Sequence, residues 1–159
     1  MSVVEDIFVA PVGGSRMQRV ETVEAVEGKG LDGDRYAERT GYWTGVDECQ
    51  VTLIEAEGLE EITEKTSVDV SQGEHRRNIV TRGVEIHALA GKRFKVGEAI
   101  LEYDRPRPPC RYIQSVSERG MTKALGRGRG GVCARVIRSG TIRVGDVIEI
   151  VTSMTDLRS

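Results

Sequence analysis

At 159 residues, with 38% apolar and 30% charged side chains and a net charge of −2, the chain fits one domain over residues 1–159 built on one hydrophobic core. That is enough apolar material to fold without a disulfide or a structural metal, and no apolar run approaches the roughly 20 residues of a bilayer-spanning helix, which excludes a helical membrane protein. Three cysteines, Cys49, Cys110 and Cys133, are odd in number and form no C-x-x-C, so they support neither a disulfide framework nor a zinc site.

In chain order, the first six residues hold no basic stretch and Ile7 to Val12 is too short for a signal-peptide core, so a cytoplasmic protein with reduced thiols is expected. Val3 to Val12 alternates weakly and predicts a strand ended by Pro11 and Gly13-Gly14; Arg19 to Val26 predicts a second. Gly28 to Tyr36 is glycine-rich and predicts a loop able to bring its backbone close to a ligand. Glu48 to Ile54 predicts a strand with Cys49, Val51 and Leu53 on one face, running into a helix from Glu55 to about Lys65; core packing is the expected role of Cys49. Arg93 to Glu102 and Thr141 to Ile150 resemble each other, each an alternating run, a Gly-acid pair and a second run, which predicts two strand-turn-strand units. Between them, Ile113, Val116, Met121 and Leu125 have helical spacing, and Gly131 to Ile137 returns to alternation. Strands outnumber helices without a regular β-α-β rhythm, so a mainly β, barrel-like domain with a few peripheral α-helices is expected.

Charge is uneven along the chain. From Arg105 to Arg143 there are ten basic residues and one acid, Glu118, whereas Glu55, Glu57, Glu60, Glu61 and Glu64 crowd an earlier segment. Such a region inside an acidic protein fits a focused anion site or a solvated charged face better than a nucleic-acid surface, because the acidic remainder repels a long polyanion. Within it, Pro106-Arg-Pro-Pro-Cys-Arg111 is a stiff rod delivering Cys110 to the start of the following helix. A helix N-terminus and neighbouring guanidinium groups both favour a thiolate, against the plainer role of a small buried residue.

His75-Arg-Arg-Asn-Ile-Val80 sets two arginines and an amide before a β-like run; arginine forks suit carboxylate or phosphate oxygens, and an amide suits a heterocycle edge. An edge-strand charge cluster reads equally well from those six residues. Gly126 to Gly131, with Arg127 and Arg129, is too short for an arginine-glycine RNA tract and reads as a loop. His75 and His87 make no metal-ligand pattern, and His87 reads as a packed or solvated helix residue.

Taken in order, Gly30-Leu-Asp-Gly-Asp-Arg-Tyr36, Arg76-Arg-Asn-Ile79, Leu89 to Glu98, Pro106 to Arg111, Gly130-Gly-Val-Cys-Ala-Arg135 and Gly140 to Asp146 resemble the MOSC domain. That family is the C-terminal domain of molybdenum cofactor sulfurases and also occurs as stand-alone bacterial proteins and in molybdenum-dependent reductases of N-hydroxylated compounds. The resemblance implies a β-rich barrel-like fold and a pocket for molybdopterin. It also implies that Cys110 is the reactive thiol or molybdenum ligand, and that Arg76, Asn78, Arg107, Arg111 and Arg135 are cofactor contacts. Arg77 stands where many relatives have proline. No stretch resembles the pyridoxal-dependent desulfurase domain of full sulfurases, so no pyridoxal phosphate is expected here.

Three functions follow from these readings. The first is a molybdenum-cofactor enzyme module that passes sulfur through Cys110 or reduces an N-hydroxylated substrate at a cysteine-ligated molybdenum. It implies a cysteine desulfurase or an electron donor as partner, since nothing in the chain resembles a flavin, haem or iron-sulfur site. The second is a nucleic-acid module on the basic region, which an aromatic content of 4% leaves short of stacking platforms. The third is a scaffold that keeps the fold without catalysis.

Overall fold

Period-two alternation becomes strands in the computed structural model, which describes residues 2–39, 49–66, 68–107, 121, 125 and 129–152. The described strands are β1 (Val3–Val9), β2 (Gln18–Val20), β3 (Thr22–Val26), β4 (Gly30–Leu31), β5 (Val51–Glu55), β6 (Ile79–Arg82), β7 (Arg93–Val96), β8 (Ala99–Pro106), β9 (Val132–Arg138), β10 (Gly140–Arg143) and β11 (Ile148–Ile150). The helices among the described residues are the one-turn α1 (Arg35–Glu38) and α2 (Ala56–Lys65), with a 3-10 turn at Ile86–Leu89 that leaves His87 exposed.

Eight strands form one sheet in the order β11-β7-β8-β9-β5-β6-β1-β2, and three form a second in the order β10-β3-β4. The large sheet is not closed by a continuous ladder. Its ends approach each other where the start of β1 meets the chain before β11: Val4 N–H donates to the Asp146 carbonyl (2.9 Å), Gly145 N–H to that of Val4 (2.8 Å) and Ile148 N–H to that of Ser2 (2.8 Å). Mainly β is therefore the architecture, and barrel-like describes its curl loosely. One strand pair is parallel, β5 with β6, and α2 is part of the crossover that joins them.

That crossover explains the near-continuous apolar reading of β5 and β6, because both faces of the sheet are covered there. On one face Ile7, Leu53 and Ile79 join the main core, which is shared with the small sheet through Val23, Leu31 and Ile142. On the other, Phe8, Ile54 and Val80 pack under Ala56 and Ile62 of α2, together with Met121 and Leu125. Each large side chain buried this completely contributes about 1.5–3 kcal/mol, so neither layer is dispensable in a protein of this size. Met121 and Leu125 belong to the predicted helix; both are fully buried, and Leu125 N–H donates to the Met121 carbonyl at 3.0 Å, four residues back. The rest of that prediction, Tyr112 to Gly120 and Thr122 to Ala124, lies outside the described residues.

Three sequence expectations are corrected. Gly28 to Tyr36 is not all loop: it holds β4, paired with β3, and the first residues of α1. Arg19 to Val26 is not one strand: β2 pairs with β1 in the large sheet and β3 with β10 in the small one, so the chain changes sheet at Glu21. The two Gly-acid segments also part ways. Arg93 to Glu102 is the expected hairpin, with Val96 opposite Ala99. In Thr141 to Ile150 the two runs pair with different sheets, β10 with β3 and β11 with β7. Here the turn is tightened by Asp146, whose N–H donates to the Arg143 carbonyl (3.0 Å) while its Oδ2 accepts from Arg143 N–H (2.7 Å), and the chain leaves it in a new plane.

Candidate functional site

Buried polar groups are costly unless satisfied, so their clustering marks where a fold has been bent to another purpose. Among the described residues, the buried ionisable and amide side chains are Asp34, Arg35, His75, Arg76, Arg77, Asn78 and Arg107, and they form a connected set. Asp34 caps α1, its Oδ2 accepting from Tyr36 N–H at 3.3 Å, while Oδ1 accepts from Ala10 N–H and from Arg35 Nη1, both at 3.0 Å. Arg35 Nη2 donates onward to the Arg76 carbonyl at 2.9 Å, and the guanidinium lies 4.4 Å from the Tyr36 ring centroid. The glycine-rich Gly28–Tyr36 stretch is thus tied to the His75–Asn78 run through its Asp-Arg pair.

Arg76 adopts φ of 66°, a left-handed conformation that costs a non-glycine residue about 1 kcal/mol or more. Its N–H donates to the Gly73 carbonyl at 2.9 Å and its Nη1 reaches the Ser15 carbonyl. This reversal sends the next guanidinium elsewhere: Arg77 Nε donates to the Gly130 carbonyl at 2.6 Å and Nη2 to the Arg107 carbonyl at 3.1 Å. Arg107 N–H in turn donates to the Gly131 carbonyl at 2.9 Å. Gly131 has φ of 93°, and a Cβ there would collide with the Leu53 carbonyl. Arg77 therefore clasps the two points at which the chain leaves β8 and re-enters β9.

Asn78 is committed inside the sheet. Its Oδ1 accepts from Thr52 N–H (3.0 Å) and Thr52 Oγ1 (3.1 Å), its Nδ2 donates to the Phe8 carbonyl (3.1 Å), and its own N–H donates to Thr52 Oγ1 (2.9 Å). It staples β1, β5 and the entrance to β6. Arg135 sits exposed on β9, pairing with Asp104 at 2.9 Å and Glu102 at 3.6 Å. Arg105, Arg129 and Arg143 likewise meet Asp104, Glu61 and Glu98. Much of the basic region is thus matched by acids on neighbouring strands and on α2, which disperses the positive face a polyanion would need.

Two of the buried guanidinium groups have partners of different kinds: Arg35 pairs with Asp34, the one buried carboxylate among the described residues, and Arg77 meets carbonyls. The carbonyl partners of Arg77 satisfy its N–H groups without cancelling its charge, and burial pushes its pKa down. Beside it lie two thiols. Cys133 on β9 stands opposite Thr52 of β5 and Arg105 of β8, and it hydrogen-bonds with Cys49, whose Sγ is also 3.4 Å from the Val51 carbonyl. Burial pushes the Cys49 thiol well up, whereas the Cys49 hydrogen bond, aided by Arg107, Arg105 and Arg77, holds Cys133 below the ordinary thiol value. Cys133 is the more acidic of the two.

His75 begins the run. Burial first, then Arg77, Arg76 and Arg35, lower its pKa from 6.5 to about 3. The unfolded chain takes up this proton near pH 6.5 and the folded chain does not, so stability is fully present above that value and is lost as pH falls toward 3. From His75 alone, unfolding free energy drops by about 2 kcal/mol between pH 7 and pH 5. Urea titrations at the two pH values check this, and a change under about 0.5 kcal/mol would contradict it.

Of the residues singled out in the sequence, the structure gathers Arg76, Asn78 and Arg107 in one connected region and sets Arg135 outside it; Cys110 and Arg111 lie outside the described residues. Arg77, read in the sequence as one of two arginines suited to an oxyanion, joins Arg76, Asn78 and Arg107, as do Asp34, Arg35 and Cys133, which the ordered motifs contain without an individual role; Thr52 is a further member without such a signal.

A family model described as the MOSC domain matches residues 40–149. Among solved structures, YuaD protein from Bacillus subtilis is similar with a TM-score of 0.73 and 20% identity over 94% of this chain and 96% of that one. YiiM from Geobacillus stearothermophilus gives 0.73 and 18% over 96% and 76%, and YiiM from Escherichia coli 0.68 and 20% over 97% and 71%. No curated protein matches the chain in sequence.

Proposed function

The chain belongs to the MOSC domain family, and from that premise we propose that it binds a molybdopterin-type cofactor and acts through Cys110, either carrying sulfur or ligating molybdenum during reduction of an N-hydroxylated compound. The observation that carries the reading is the Arg77 clasp: a buried, charge-bearing guanidinium holding the Arg107 and Gly130 carbonyls, hence both ends of the segment that contains Cys110. Cys110 follows Arg107 by three residues, a tether of at most about 11 Å between Cα atoms.

The chemistry of the donor set fits the group. Molybdopterin carries a phosphate or, in its nucleotide form, a diphosphate, and guanidinium groups held in a buried setting favour such oxygens far more than solvated ones do. When bound, the cofactor would supply the redox and sulfur-accepting chemistry of molybdenum, which is thiophilic. Arg107 and Arg77 would supply the positive potential, with Arg35 behind them. Arg76 and Asn78 would shape the binding region through the main chain they hold, and Arg111 and Arg135 would add charge at its margin. The same potential favours the thiolate form of a nearby cysteine. A desulfurase or an electron donor would complete either route, in a cytoplasmic setting that keeps the thiols reduced.

Protein purified from a molybdopterin-producing host is expected to hold molybdenum near one per chain. Cys110→Ala is expected to abolish either a persulfide adduct seen by intact mass, for a sulfur carrier, or turnover of an N-hydroxylated base, for a reductase. Protein with neither molybdenum nor pterin, or a variant retaining both adduct and turnover, would sink the proposal.

A further inference from the structure

Cys49 and Cys133 are free, buried thiols to which the cofactor reading gives no task. The β5–β9 ladder brings them together from distant parts of the chain, pairing Val51 with Ala134, Thr52 with Cys133 and Leu53 with Val132. A straight continuation of that register would set Cys49 opposite Val136, away from Cys133. Instead the chain bends at Gln50, whose Oε1 accepts from Val136 N–H at 2.8 Å and whose carbonyl lies so close to Gly30 that a Cβ there would collide with it. The bend turns Cys49 back along the ladder. Its Sγ lies 3.4 Å from the Val51 carbonyl and hydrogen-bonds with Cys133.

The two sulfurs sit at different depths. Cys49 keeps 7% of its surface exposed, whereas Cys133 keeps 0% and lies within the field of Arg107, Arg105 and Arg77. Burial pushes the outer thiol up, while its hydrogen bond and then those guanidinium groups pull the inner one down. The inner sulfur is thus the more readily ionised and the outer one the more accessible. Passage of the shared proton inward leaves the anion on Cys49, at the end that solvent reaches. Sulfurs in hydrogen-bond contact need to close by only about 2 Å to reach the ~2.05 Å of an S–S bond.

We propose that Cys49 and Cys133 are a dithiol that a peroxide converts into a reversible disulfide, tying the start of β5 to β9. Hydrogen peroxide oxidises the Cys49 sulfur to a sulfenic acid and is itself reduced to water. The Cys133 sulfur then attacks that of Cys49: the S–S bond forms as the S–O bond breaks, and the hydroxide leaves with the Cys133 thiol proton as water. Two thiols and one peroxide thus give one disulfide and two waters. A dithiol reductant restores both thiols by exchange and leaves as its own disulfide. The pair stays reduced until an oxidant arrives, in keeping with a thiol-reducing compartment. No cofactor takes part, so the inference stands apart from the molybdopterin reading.

The full chain, reduced and then freed of reductant, is treated with hydrogen peroxide in native buffer, quenched by alkylation and digested without reduction. A peptide linking Cys49 to Cys133 is expected, in a chain about 2 Da lighter that reverts on treatment with dithiothreitol. In Cys133→Ala the outer sulfur has no partner to close on. Dimedone should therefore trap a sulfenic acid at Cys49 in that variant, with at least about tenfold less label at Cys49 in the wild type. Glutathione buffers give a second measurement on the wild type alone. The folded chain should hold the bond at a thiol-to-disulfide ratio about tenfold more reducing than the same chain in urea, because the fold keeps the sulfurs together. No linked peptide in the folded chain after prolonged treatment with excess peroxide, linkage of either sulfur to Cys110 as the main product, equal Cys49 labelling in wild type and folded Cys133→Ala, or equal glutathione ratios with and without urea would each overturn the proposal.

Discussion

Asn78→Ala is expected to lower the unfolding free energy by about 3–5 kcal/mol, a large share of the total for a domain of this size. The side chain accepts from Thr52 N–H and Thr52 Oγ1 and donates to the Phe8 carbonyl, all in fully buried surroundings. Alanine removes the side-chain partner of Thr52 N–H and of the Phe8 carbonyl and the acceptor for the Thr52 Oγ1 proton, each loss costing about 1–3 kcal/mol, although Oγ1 still accepts from the residue 78 N–H and water entering the space would give some relief. Thermal melts followed by circular dichroism should show a midpoint lower by about 10 °C. A loss under 1 kcal/mol would mean that β1, β5 and the entrance to β6 are held together by packing alone.

Arg77→Met is expected to separate binding from folding. Two opposing terms act on the protein without ligand. The Gly130 and Arg107 carbonyls lose charged donors worth about 1.5–3 kcal/mol each, while removal of a buried charge recovers a desolvation penalty of several kcal/mol. They nearly cancel, so stability should move by less than about 2 kcal/mol in either direction. Nothing cancels the loss toward an anion. Affinity for a phosphate-bearing ligand, measured with pyrophosphate by calorimetry and as retained molybdenum, should fall about 10- to 100-fold. Arg77→Lys keeps the charge but lacks the planar fork that reaches both carbonyls, so it should fall between. Unchanged pyrophosphate affinity in Arg77→Met would remove the buried guanidinium from the proposed cofactor site.

Both experiments concern residues that patterns describe poorly. The sequence suits Asn78 to a heterocycle edge because an amide can both donate and accept; its partners in the fold are Thr52, 26 residues away, and Phe8, 70 residues away. Arg77 looked like a departure from the family pattern, yet it makes the clasp. Conversely, the Gly97-Glu98 hairpin and α2 were legible because their determinants are local: a turn glycine with φ of 58° between alternating runs, and a short amphipathic stretch after a strand. The parallel β5–β6 pair was not legible, since each strand reads as a plain apolar run whichever neighbour it takes.

Local chemistry therefore determined which residues of this protein become strands and helices, its β-dominated class, and the ordered motifs that mark its family. Those properties depend on backbone dihedral preference and side-chain period, which act over a few residues. Tertiary structure alone decided that Arg19 to Val26 divides between two sheets, that Asp34 meets Arg35 in the interior, and that one nitrogen of His75 braces the arginine run while the other has no hydrogen-bond partner among the described residues. Burial and hydrogen-bond satisfaction are set by atoms brought together from distant parts of the chain, and no single segment carries that information.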